Sequence, residues 1–388
     1  MSANNPDTQP RKIILECTKG LSEEVVAHLP TFSAARQACN RARINPYENF
    51  EIPSDLGFIL PDQFKNLDNG EKFLFMDETY GNERMLIFTT EKNLSLLTEY
   101  SNWLCDGTFD ASPLIFEQLF TLHALKKNKT LPLVYALFTN KQETTYQKFF
   151  EFIKSLVKIE PLTVSCDFEL AIINAIETVF SETDILGCFF HLKKSIWRQI
   201  QSNGLASDYN DMTKVDNNIR LYAKMIACLA FVPCDFVITA FGLIKQKSPN
   251  KMKDLISYFE EYYIGKPGRG KNPTRKQPRF DIKLWNCFDR TKQGLPRTNN
   301  NLEGWHHGIQ STFRTHPHLL SFIDGLKLEQ ANCENLNIRL STGETFKRAS
   351  KYVIFENKLG EILIDFDENK LFDYLKNLSL LIDYKFKQ

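Results

Sequence analysis

The chain has 388 residues, 43% of them hydrophobic and 24% charged, with a net charge of +1 at pH 7, which is enough for two or three structural units with real cores. The near-zero charge excludes a uniformly basic nucleic-acid binder, so any such partner must meet a local patch, and without a run of about 18 apolar residues no membrane span is expected. The start MSANNPDTQPRK lacks the apolar run of a secretory signal, and nine cysteines, an odd number without CxxC pairs, fit reduced thiols in the cytosol or nucleus.

Residues 1–12 are polar and read as loose. Ser22-Glu23-Glu24 has the form of a helix start, a capping hydroxyl followed by acids. Pro30 breaks that helix, and the next runs from Thr31 to Arg43, gathering Arg36, Arg41 and Arg43 toward its C-terminus before Asn45-Pro46 stops it. Residues 1–70 are therefore read as an N-terminal helical lead-in.

From residue 72 the pattern turns to strands. Lys72–Met76 and Arg84–Thr89 form an expected hairpin, and Asn93–Tyr100 an expected helix with Asn93 as its cap. Three strands follow as a meander at Trp103–Phe109, Phe116–Leu125 and Leu131–Phe138. Glu143–Val157 carries Tyr146, Phe149, Phe150, Ile153, Leu156 and Val157 at helical spacing. Then come a strand at Leu162–Cys166, a helix at Leu170–Phe180 and a strand at Ile185–Phe190. The order βββαβαβ implies a mixed five-stranded α/β sheet flanked by helices over 71–194.

Residues 195–297 lose the strand pattern and read as a helical insertion with a basic loop, GKPGRGKNPTRKQPR. The segment 298–345 resumes helix, and 346–388 reads as a tail of two short helices.

Two acids stand where this order makes them matter. Asp106 sits late in the first meander strand, within Trp-Leu-Cys-Asp-Gly-Thr-Phe, and Asp167 ends the fourth, within Thr-Val-Ser-Cys-Asp-Phe-Glu. If those strands are neighbours, the two carboxylates meet at the carboxyl end of the sheet, where α/β sheets place their sites. Unaided, they would repel and one would protonate; a hard divalent ion such as Mg²⁺ removes the conflict. The residues alone leave two alternatives open: Asp106-Gly107 is also a turn signal, and Asp167 could cap the following helix.

At these residues the sequence resembles a family. Cys-Asp-Gly-Thr-Phe at 105–109, Leu-Pro-Leu-Val-Tyr-Ala-Leu at 131–137, Cys-Asp-Phe-Glu-Leu-Ala at 166–171 and Gly-Cys-Phe-Phe-His-Leu at 187–192 resemble the Mutator-like element (MULE) transposase domain. Arg-Thr-Asn-Asn-Asn-Leu-Glu-Gly-Trp-His at 297–306 resembles the family segment with the third catalytic acid, and Leu21–Arg43 resembles the lead-in of animal members that begin with a FLYWCH zinc finger. The resemblance implies an RNase H-like core with a helical insertion before the last catalytic helix. It implies a catalytic, metal-binding triad of Asp106, Asp167 and Glu303, holding two Mg²⁺ or Mn²⁺ ions for DNA cleavage and strand transfer at terminal inverted repeats. DNA and further copies of the chain on it are the implied partners, the nucleus the implied location. The alternative is a domesticated, non-catalytic DNA-binding or regulatory protein derived from a transposase.

Secondary sites surround this reading. Cys188-x-x-His191 is half of a structural zinc site with no clear second half, so zinc is not expected, and the pair is read as active-site support. His306 could approach it. Trp305 is read either as a stacking partner for an unpaired base or as a core aromatic. The stretch 245–297 holds 14 Lys/Arg against five acids, net +9. Lys266, Arg269, Lys271, Arg275, Lys276 and Arg279 in its loop are the candidate phosphate contacts, unless the loop is only a solvated charge run. No Cys/His set with zinc-finger spacing precedes residue 100.

Overall fold

The computed structural model describes residues 10–41, 46–211, 213, 217–269, 274–312, 316–344 and 350–384, with the side chains at 23, 27, 40, 41, 303, 311 and 312 excepted. Arg43 and Lys271, both named above as candidate basic residues, lie outside the described residues. The chain divides into two compact units, residues 1–54 and 55–388.

In the first unit, helices α1 (Pro10–Thr18), α2 (Glu23–Ala27) and α3 (Phe32–Arg41) follow one another. The first helix takes in the last three residues of the stretch read as loose, with Pro10 at a position where its missing N–H costs nothing.

In the second unit a hairpin of β1 (Leu74–Tyr80) and β2 (Glu83–Phe88) leads through helix α4 (Glu91–Glu99) into β3 (Asn102–Thr108), β4 (Gln118–Lys126) and β5 (Lys129–Phe138). Then come α5 (Glu143–Leu156), β6 (Thr163–Cys166), α6 (Leu170–Val179), β7 (Asp184–Gly187) and α7 (Phe189–Ser202). All seven strands form one sheet in the order β1-β2-β5-β4-β3-β6-β7. The expected count of five is too low, because β2 pairs antiparallel with the edge of β5 and the hairpin joins the sheet. The meander pairs antiparallel, while β3–β6 and β6–β7 are parallel.

One face of the sheet is apolar. Trp103, Cys105, Phe120, Leu122, Phe138 and Val164 alternate onto it. They meet α5, whose Tyr146, Phe149, Phe150 and Ile153 are buried at helical spacing, and α6. Phe120 packs edge-on against Phe149 with centroids 5.3 Å apart, and Trp103 against Phe180 at 5.8 Å.

Two local expectations shift. The cap of α4 is Thr90, whose hydroxyl accepts from the Asn93 N–H; Asn93 is buried and donates to the Leu133 carbonyl and to Gln330. The last strand stops at Gly187 rather than Phe190, so His191 falls in the first turn of α7.

Beyond α7 lie α8 (Ala206–Asn210), α9 (Asn218–Cys228), α10 (Cys234–Lys247), α11 (Lys253–Phe259), α12 (Ile282–Trp285) and α13 (Phe288–Lys292). Helices α14 (Asn300–Thr312), α15 (Leu319–Ser341), α16 (Ser350–Ile364) and α17 (Leu371–Leu381) complete the chain. Helix α15 lies on β5: Gln330 bonds Asn93, and Cys333 donates to the Pro132 carbonyl. No described helix is long and apolar enough to cross a membrane.

Candidate active site

Parallel pairing sets Leu104 of β3 opposite Ser165 of β6. That pair lies two residues before Asp106 and Asp167, so both acids sit at the same end of neighbouring strands, which are spaced about 4.8 Å apart. Both residues leave the apolar face by alternation, while the cysteines before them stay on it. The Cys105 thiol is pushed well up by its contact with Cys166, by burial and by the charges of both Asp106 and Asp167, so both acids act on one small region.

The alternatives left open by the residues alone resolve by position. Asp106-Gly107 is strand, not turn, and the cap position of α6 belongs to Glu169 rather than Asp167.

Asp167 is held from one side. His191 Nδ1 lies 2.7 Å from its Oδ1, short but off the ring N–H axis, and the Asn299 amide donates to the same oxygen at 3.5 Å. Burial disfavours charge on His191, but Asp167 and Cys188 outweigh it and raise its pKa to about 10. Asp167, Cys188 and His191 each bring a ligand-type atom within 4.8 Å of the others. The Asn299 N–H donates to Cys188 Sγ at 3.3 Å.

The third arm arrives from far along the chain. The Phe189 N–H donates to the Arg297 carbonyl at 2.8 Å, and Asn299 reaches Cys188 and Asp167, so residues 297–299 strap across the start of α7. Helix α14 begins at the next residue and brings His306 Nδ1 to 3.5 Å from Asp106 Oδ2. Burial lowers the His306 pKa to about 4, with Asp167 favouring and His307 opposing the charged ring. Glu303 lies on the α14 backbone one turn before His306; its side chain is outside the described residues.

Trp305 faces the sheet. Its ring lies 5.1 Å from that of His123 and 6.0 Å from that of Tyr135, which is the core reading rather than base stacking. His123 and Thr121 of β4, and Asn299, belong to the site and were not anticipated. A histidine in the apolar run Leu-Phe-Thr-Leu-His-Ala-Leu was the signal for the first.

The basic loop is partly spent on itself. Arg275 pairs with buried Glu260 at 3.2 Å and donates to the Gly265 carbonyl, and Lys266 pairs with Glu261 at 2.6 Å. Arg279 lies over the rings of Tyr262 and Phe280. Arg269 and Lys276 are exposed. Gly265 has φ +85°, and a Cβ there would sit 1.9 Å from the Lys276 carbonyl, so only glycine closes this turn. The base of the loop is tied to the site: Phe280 packs on Phe168, the neighbour of Asp167, at 5.1 Å.

Two acids at one sheet end, a cationic imidazole on one and a neutral imidazole on the other suit the handling of a phosphodiester and its counter-ions. No curated protein matches the chain. The family model of the MULE transposase domain matches residues 102–195. That span runs from the start of β3 into α7, so the similarity to the MULE transposase domain covers Asp106, Asp167, Cys188 and His191.

Proposed function

We propose that the chain is the catalytic core of a DNA transposase, cutting DNA at terminal inverted repeats and joining the freed 3′ ends to a target. The observation that carries this is the parallel pairing of β3 with β6, with Asp106 and Asp167 each two residues past the paired Leu104 and Ser165 and inside the matched span. The inner strands β5-β4-β3-β6-β7, three antiparallel and two joined in parallel, are read as an RNase H-like core whose edge the β1–β2 hairpin extends.

The donor set fits a hard divalent cation. Asp167 is gripped through Oδ1, leaving Oδ2 without a partner among the described residues, and the Asp106 side chain is 14% exposed. Asp106, Asp167 and, by its place on α14, Glu303 would hold two Mg²⁺ or Mn²⁺ ions. Bound there, the ions would lower the pKa of a water and neutralise charge on the scissile phosphate and leaving oxygen. The protein's own work is positioning: His191 and Asn299 orient Asp167, and the strap at 297–299 sets α14 in register. Arg269 and Lys276 are proposed phosphate contacts on the flanking DNA, the nucleus is the proposed location, and further copies of the chain are proposed to gather on the DNA.

Purified protein with Mn²⁺ should nick duplex DNA carrying the repeats that flank its gene, and Asp106→Asn should not. Equal nicking by wild type and Asp106→Asn, or none by wild type across Mg²⁺ and Mn²⁺, would overturn the catalytic reading. DNA binding that survives without nicking would favour the domesticated alternative.

A further inference from the structure

Behind Asp106 three buried nitrogens have no partner among the described residues: His123 Nδ1, Trp305 Nε1 and His306 Nε2. Trp305 links the other two, its ring lying 5.1 Å from that of His123 and 5.4 Å from that of His306. An orphaned polar atom in such surroundings costs about 1–3 kcal/mol, so three together call for a shared partner.

The neighbouring hydrogen bonds determine what each atom can do. The Thr121 hydroxyl donates its one hydrogen to the Asp106 carbonyl at 3.3 Å, so His123 Nε2, 3.0 Å from that oxygen, must carry the N–H. His123 is fully buried, which keeps the ring neutral and leaves Nδ1 a bare acceptor. His306 Nδ1 faces a carboxylate oxygen, which favours the proton on Nδ1 and leaves Nε2, also buried, as an acceptor. Trp305 Nε1 is a donor only. One donor and two acceptors is the complement of a single water, which offers a lone pair and two hydrogens, and about three bonds is the usual complement of a buried water.

We propose that Trp305, His123 and His306 share one buried water that locks His306 in its Nδ1–H form, making His306 a positioning residue for Asp106. His306 then holds the Asp106 carboxylate, which also accepts from the Gly107 N–H at 2.8 Å, and His123 holds its carbonyl through Thr121. The consequence for metal binding rests on the function proposed above; the tautomer does not.

The test uses the full chain labelled with ¹⁵N-histidine and assigned by the His306→Asn spectrum. Two-bond ¹H–¹⁵N correlations should show His306 protonated at Nδ1 and His123 at Nε2. Trp305→Phe, which keeps the packing but removes the donor, should release His306 to mixed tautomers. Mn²⁺ affinity, read by electron paramagnetic resonance, should fall about tenfold in His306→Ala, the usual cost of losing a group that orients a ligand. His306→Asn, whose amide can replace the Nδ1–H donor, should recover most of it. His306 found protonated at Nε2 in the wild type, or unmoved in Trp305→Phe, overturns the proposal. Equal Mn²⁺ affinity in wild type and His306→Ala overturns the positioning role. If the wild type binds no Mn²⁺, the catalytic reading falls, and the tautomer result still decides on the shared water.

Discussion

One face of the central sheet carries Trp103, Cys105, Phe120, Leu122 and Phe138; the other, built from the same strands, carries Asp106, Thr121, His123 and Tyr135. The first is sealed by aromatic packing against α5 and α6, with Phe120 alone touching Phe138, Tyr146, Phe149 and Phe150. The second is covered by α14, which contributes Trp305 and His306. Strand alternation makes this separation cheap: a residue moved by one position changes face, so stability and chemistry are coded in alternate letters of one strand. The apolar face should therefore govern folding and the polar face activity.

The largest test of that division is Asp106→Asn, for which DNA nicking should fall by about 100- to 1000-fold, the scale seen when one charge-stabilising group is lost. Its urea midpoint should stay at or above that of the wild type, since a repelled charge is removed. A collapse of stability in this variant would break the comparison from the polar side. From the apolar side, Phe150→Ala should cost about 3–5 kcal/mol in urea unfolding, the range for an emptied aromatic site. A loss below about 1 kcal/mol would mean that this face does not dominate stability.

The two histidines sharpen the contrast through opposite pH dependences. His191 has a folded pKa raised to about 10, so its stabilisation is fully present below its unfolded pKa of about 6.5 and is lost as pH rises through 10. A His191→Gln variant should be less stable than wild type at pH 7, and the gap should close by pH 10.5. His306 has a folded pKa lowered to about 4, so its unfolded form binds the extra proton between about 6.5 and 4 and stability falls as pH drops through that window. His306→Asn should flatten this acid-side slope in denaturation measured from pH 7 to 4.

The smallest effect is expected at the loop. Arg269→Ala with Lys276→Ala should weaken DNA binding a few-fold and reduce the slope of log affinity against log salt by about 0.9 per phosphate contact. Arg275→Ala should leave that slope unchanged and instead loosen the turn at Gly265, because its charge is already met by Glu260. A slope lost equally in both variants would erase the distinction between contact and scaffold.

Much of the sheet was legible before any coordinates, for a local reason. Strand and helix periods over 102–187 follow from spacing alone, so β3 to β7 fall within a few residues of expectation. What spacing could not show was that β2 would accept β5 as a neighbour, since pairing of a hairpin with a later strand leaves no mark on either pattern. The role of Trp305 was undecided in the sequence because a tryptophan on an amphipathic helix looks the same facing DNA or facing His123. Asn299 passed unnoticed within a run of three asparagines, where nothing marks the one that reaches Asp167.

By itself the sequence singled out Asp106 and Asp167 as candidates, each following a cysteine late in or at the end of an apolar strand; that those strands are neighbours was decided by their pairing. Only the tertiary structure decided what surrounds them. His306 comes from 139 positions beyond Asp167 and is delivered by hydrogen bonds at 297–299 to the start of α7. His191 becomes a cation because Asp167 and Cys188 converge on it, and His306 stays neutral because burial prevails. Periodicity records which face a side chain takes. Charge state and orientation depend on neighbours brought together by folding, and those are set by packing across long stretches of chain.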